Sequence, residues 1–189
     1  MAQRSTHWYL RSWAYEDRLR PDGTKARELV YQGEYYRVVG KSGTLLPLKL
    51  GYLASAVVLW LVLAVLLTHF SRGASLFFVG GPCGITLIPA IYLAIGCIQL
   101  LRVPEKMTYR DVQASYRRIR LASKWAVGLM AVCLVGEVFY LSYRLIGGLE
   151  IAWGAEGLWL GGSLLAVLAP AVNLWLLRRY RVELCPRED

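Results

Sequence analysis

Two stretches, Leu50–Thr68 (LGYLASAVVLWLVLAVLLT) and Cys83–Leu101 (CGITLIPAIYLAIGCIQLL), carry the fold. Each runs for 19 residues without an Asp, Glu, Lys or Arg. A helix rises about 1.5 Å per residue, so each run covers a hydrocarbon core of roughly 30 Å. In lipid a single segment must satisfy its own backbone hydrogen bonds, which selects helix. Working outward, Trp125–Tyr143 is a third such run with one charge, Glu137, and Gly157–Leu177 is a fourth with none. The expected fold is an all-α membrane protein of four transmembrane helices arranged as two hairpins, with spans at about 50–69, 83–101, 125–144 and 157–177. The 56% hydrophobic content of the 189 residues is too high for an ordinary soluble domain.

The net charge of +9 is unevenly spread. Nine Lys and Arg precede Leu50, seven lie in 102–124 and four follow Leu177, against one in each remaining loop, Arg72 and Arg144. By the positive-inside bias both termini and the central loop are cytoplasmic and the protein is a multi-pass protein of the plasma membrane. The first 49 residues are too charged for a secretory signal peptide, so Leu50–Thr68 is expected to act as an uncleaved anchor. The charges flank spans and no stacking platform accompanies them, which disfavours nucleic acid as a partner.

Three regions follow. Residues 1–48 form a basic, aromatic cytoplasmic segment, 49–181 the four-helix domain, and 182–189 a tail. In the first, β-favouring runs at His7–Tyr15, Glu28–Tyr31 and Tyr35–Val39 surround the turn signal Arg20-Pro21-Asp22-Gly23, which suggests a small meander with its aromatics against the interface, the loop helix or a partner. Pro82 suits the first turn of the second span, and Pro89 should kink it. In the central loop, Thr108 and Asp111 fit a capping box. Tyr109, Val112, Tyr116, Ile119 and Ser123 then recur at steps of three and four, opposite Arg110, Arg117, Arg118, Arg120 and Lys124. This pattern predicts a basic amphipathic helix over about 108–123, lying on the inner leaflet and running into the third span, with those five cations as candidate contacts for anionic lipid.

Glu137 is the one acid inside a span, about 12 Å from its outer end by helix rise. A carboxyl there must be protonated, paired or hydrated. Met130, Cys133, Glu137, Tyr140 and Arg144 share one helix face, and Trp60, Tyr92 and Ser163 are expected at similar depth. Glu137, Tyr140, Arg144, Tyr92 and Ser163 are thus the candidate coupling or buried polar site, with no second membrane acid or base expected beside Glu137. Gln99 and Asn173 are candidates for hydrogen bonds across the bundle, and Gly157-x-x-x-Gly161 and Gly80-x-x-x-Gly84 for close helix approach.

Catalytic patterns do not assemble. The two histidines, His7 and His69, fall on opposite sides of the membrane, and the four cysteines are scattered, so neither a metal set nor a cofactor is expected. No span supplies a histidine to activate Ser163, and no phosphate-binding loop is present. The expectation is a non-enzymatic accessory or interaction subunit. Its partners would be anionic membrane lipid and an unidentified protein or a second copy. The alternative is a small proton-coupled transporter or transporter component using Glu137.

Overall fold

A computed structural model describes residues 13–19, 25–31, 33–39, 46–69, 71–103 and 106–185. His7, Trp8, Tyr9 and the turn at Arg20–Gly23 lie outside these. Strands β1 (Trp13–Leu19) and β2 (Lys25–Tyr31) pair antiparallel along their whole length, from Trp13 opposite Tyr31 to Leu19 opposite Lys25. They are followed by β3 (Tyr35–Val39), α1 (Leu46–Thr68), a short 3-10 turn (Gly73–Ser75), α2 (Phe77–Ile85) and α3 (Leu87–Arg102). Then come β4 (Met107–Thr108), α4 (Tyr109–Ile146), α5 (Trp153–Arg179) and β5 (Arg181–Leu184).

Four helical runs are long and apolar enough to cross a membrane: Leu46–Thr68, Phe77–Arg102, Tyr109–Ile146 and Trp153–Arg179. These fit a multi-pass membrane protein. Each buries only a stripe. On α1 the buried residues Tyr52, Ser55, Ala56, Leu59, Leu63 and Leu66 recur at helical spacing, while Val57, Leu61 and Val65 face outward. An apolar outer surface of this kind is uneconomic in water and natural in lipid. Helix α4 is central: it packs on α2, α3 and α5, and α1 closes the bundle against α3 and α5. Close approach depends on Gly96, where an added Cβ would meet Ile119 Cγ1 at 2.9 Å, and on Gly136, packed against Phe78 and Val79.

Several expectations are corrected. Of a two- or three-stranded meander, only the two-stranded form is present, as β1 with β2. β3 leaves the β1–β2 hairpin and takes the centre of a second sheet, order β4-β3-β5, pairing Tyr35 with Thr108 and Val38 with Val182. Short strands flanking three different helices therefore meet at one end of the bundle, a long-range pairing that local propensity does not encode. Tyr36 of β3 faces Tyr109 of α4, ring centroids 6.1 Å apart. The central-loop helix runs into the third long helix, as its pattern predicts. The capping box forms as expected, with Thr108 Oγ1 accepting from Asp111 N at 3.3 Å and Thr108 N donating to Asp111 Oδ2 at 3.0 Å. After it the helix continues through a π-helical turn at Gln113–Arg117 straight into the third span, and its buried face (Ser115, Tyr116, Ile119, Ala122) meets α3 and the bundle rather than lipid.

The second span starts at Phe77, so Pro82 sits inside α2 instead of opening it. The break expected near Pro89 falls at Thr86 between α2 and α3, because Pro89 has no N–H to return to the Ile85 carbonyl four residues back. At the break Thr86 Oγ1 donates to the Pro82 carbonyl at 2.7 Å.

Candidate functional site

The basic end is built from the turns around the β4-β3-β5 sheet. Lys49, at the start of α1, donates from Nζ to the carbonyl of Val103 at 2.7 Å and of Leu101 at 3.3 Å, closing the C-terminus of α3 with a cation where the dipole favours one. Between α4 and the end of α5 lies a groove of about 730 Å³. Tyr116, Leu177 and Tyr180 give it apolar walls, and Arg117, Arg120, Lys124 and Arg178 give it charge. Helical steps bring Arg117, Arg120 and Lys124 to one edge, and the end of α5 brings Arg178 to the other. All four are exposed, although Arg117 also donates to Gln113 Oε1 at 3.0 Å.

Of the five cations expected to contact anionic lipid, three converge here. Arg110 lies outside the groove. Arg118 turns to the other side of α4, donating to Gln99 Oε1 at 3.1 Å and lying 5.9 Å from the centre of the Tyr92 ring. It borders a second, more apolar groove of about 580 Å³ with Tyr92, Trp125 and Pro89. Arg178, just past the fourth expected span, is the member that spacing along one helix does not bring in.

The opposite end holds the acids. Glu137 is fully buried, as is Glu156 in the first turn of α5, and the two carboxyls lie beside one another. This overturns the expectation that Glu137 has no second acid beside it. The span expected at 157–177 leaves Glu156 outside it, whereas α5 begins at Trp153 and turns Glu156 inward. Glu156 Oε1 accepts from Arg72 N at 3.2 Å and Gly73 N at 3.4 Å. Gly73 is required there, since a Cβ would stand 2.6 Å from Glu137 Oε2 and 2.9 Å from Tyr140 Cδ1. The neighbours of Glu137 are the segment after α1 and the first turn of α5.

Tyr140 packs on Gly73, and Arg144 lies 6.0 Å from the Tyr140 ring centre. Arg144 donates to the Glu150 carbonyl instead of reaching an acid. Ser163 is one turn below, sharing a 3.5 Å hydrogen bond with Cys133. Tyr92 does not join them. It is 54% exposed beside Arg118, because α2 starts at Phe77 and places Tyr92 about 22 Å along the helical run. Trp60 faces outward. Asn173 does bond across the bundle, donating to Ser123 Oγ at 3.3 Å.

The glycine spacings behave unequally. An added Cβ at Gly157, Gly161 or Gly84 would meet nothing within 4 Å, whereas one at Gly80 would run into the Ala74 carbonyl oxygen. Comparison with protein-family models, with curated proteins and with solved structures finds no match to this chain.

Proposed function

We propose that the protein is a non-enzymatic accessory subunit of the plasma membrane, held at the inner leaflet by an anionic lipid headgroup in the groove between α4 and α5. One observation carries this reading: Arg117, Arg120, Lys124 and Arg178 converge on a groove with Tyr116, Leu177 and Tyr180 as apolar walls. That combination suits a phosphate-bearing headgroup whose glycerol and upper acyl carbons lie on aromatic and aliphatic surface. Each basic residue near a charged leaflet contributes about 1 kcal/mol. The β4-β3-β5 sheet beside it joins head, waist and tail into one platform, and exposed arginine and aromatic side chains are the usual anchors for a protein partner or a second copy.

Gentle extraction followed by native mass spectrometry tests the reading. The expected result is retained phosphatidylglycerol in preference to phosphatidylcholine, lost when Arg120, Lys124 and Arg178 are replaced by Gln. Equal retention of both lipids, in wild type and variant alike, with no co-purifying protein, would overturn it.

The second reading, a small proton-coupled transporter or transporter component using Glu137, is favoured by the presence of Glu156 in the same enclosure. It needs a path onward, and directly beneath lie Cys133, Met130, Ala126 and Ala166, all buried with no exposure. Proton flux in vesicles under a pH gradient, lost in Glu137→Gln, is its required outcome.

A further inference from the structure

The two acids at the end opposite the sheet form an enclosed site of their own, independent of the basic groove. Glu137 is 0% and Glu156 is 1% exposed. The segment Ser71–Ala74 crosses over them as a strap: Ser71, Gly73 and Ala74 are buried, and Ala74 N donates to Ser71 Oγ at 2.9 Å. Both strap amides that reach the acids use one atom, Glu156 Oε1. Glu156 Oε2 and both carboxyl oxygens of Glu137 are left without a protein hydrogen bond of regular geometry, although the carboxyls are neighbours.

Among the described residues no cation pairs with either acid. On the strap side, the His69 ring bonds Thr68 Oγ1 and the Val65 carbonyl, its own carbonyl accepts from Trp159 Nε1, and the Arg72 side chain is exposed. On α4 the facing groups are Cys133, tied to Ser163, and Tyr140; Arg144 is directed to the Glu150 carbonyl. Glu150 itself is exposed in the loop before α5. α2 presents Val79 and Gly80, and α5 presents Trp159, none of which carries charge. Two anions side by side without water or a counter-ion are strongly disfavoured. One proton resolves this, because a protonated carboxyl is a donor and an ionised one is purely an acceptor.

We propose that Glu137 and Glu156 are a proton-binding latch, in which one shared proton holds the Ser71–Ala74 strap over the ends of α4 and α5 and its loss releases the strap. When the latch opens, the O–H bond between the carboxyls breaks, the proton passes to water at this end of the bundle, and two carboxylates remain. Their repulsion is relieved by hydration, which requires Gly73 to lift away from Glu137. The Arg72 and Gly73 amides then exchange with solvent.

The test is hydrogen–deuterium exchange of segment 71–76 in the full chain in lipid nanodiscs, corrected for the intrinsic pH dependence of amide exchange. Between pH 6 and 9 the protection of wild-type protein should fall at least tenfold. In Glu137→Gln or Glu156→Gln, where an amide donates in place of the proton, protection should stay level across that range. The wild-type profile is informative by itself if either variant misfolds. A flat wild-type profile overturns the latch, and so does a variant with the wild-type slope. Protection that follows added calcium or sodium at fixed pH, with no pH dependence, would show a metal-cation site instead and also overturn it.

Discussion

The two ends of this bundle handle charge in opposite ways. At the basic end, cations sit at helix termini and along an open groove, where carbonyls, water or headgroups can meet them: Lys49 closes α3, Arg118 bonds Gln99, and Arg120, Lys124 and Arg178 line a cleft. At the other end two carboxyls are shut under a strap, with three oxygens lacking regular partners. An arginine on a long stem reaches the surface from an apolar helix face, whereas a glutamate turned inward beside another must change its protonation or its surroundings. The basic end therefore tolerates many arrangements and is suited to a soft, exchangeable ligand, while the acidic end permits few.

Four substitutions sharpen this contrast. Replacing Arg120, Lys124 and Arg178 together by Gln should remove about 3 kcal/mol of attraction to an anionic leaflet, roughly a 100-fold loss in binding to anionic vesicles, with the fold retained. Unchanged vesicle binding would mean the groove faces something other than lipid. Gly73→Val drives a branched side chain into the Glu137 carboxyl and Tyr140. Overpacking of this sort costs about 1–3 kcal/mol, and the expected result is a lower unfolding midpoint in detergent, with the β4-β3-β5 end undisturbed by exchange. Thr108→Ala removes the capping box at the start of α4, and about 1 kcal/mol should be lost in denaturant unfolding.

An effect of the opposite sign is expected from Gly157→Ala with Gly161→Ala. Nothing lies near an added Cβ at either position, so each should favour helix by about 0.5–1 kcal/mol through backbone entropy. A rise in melting temperature is the expected outcome. A fall, together with loss of a dimer in native mass spectrometry, would show that this stripe packs a second copy of the chain.

Much of the site was readable at the level of single residues and little of it at the level of neighbours. Glu137 stood out as the acid within a span, and its own helix face, with Cys133, Tyr140 and Arg144, follows from helical spacing. Glu156 is hard to place from sequence because the start of α5 carries few signals: Ala152 makes no side-chain cap, and Trp153 and Gly154 look as much like loop as helix. Tyr92 was misplaced by an error at a helix start, since helix registers inherit every residue of such an error at 1.5 Å each. The basic groove was half legible, because Arg117, Arg120 and Lys124 share a helix while Arg178 comes from a different one.

By itself the sequence determined four long apolar helices, the charge difference between the two ends, the capping box at Thr108 and the proline break in the second helical run. All of these are properties of one segment, set by side-chain transfer energy, helix spacing and a missing backbone donor. Only the tertiary structure decided that β3 pairs with β4 and β5, that Arg178 completes a groove begun on α4, and that Glu156 joins Glu137 beneath Gly73. Each of these brings together residues more than 50 positions apart. Such contacts depend on how helices rotate and slide against one another, which the packing of Gly96, Gly136 and their neighbours fixes and no local pattern records.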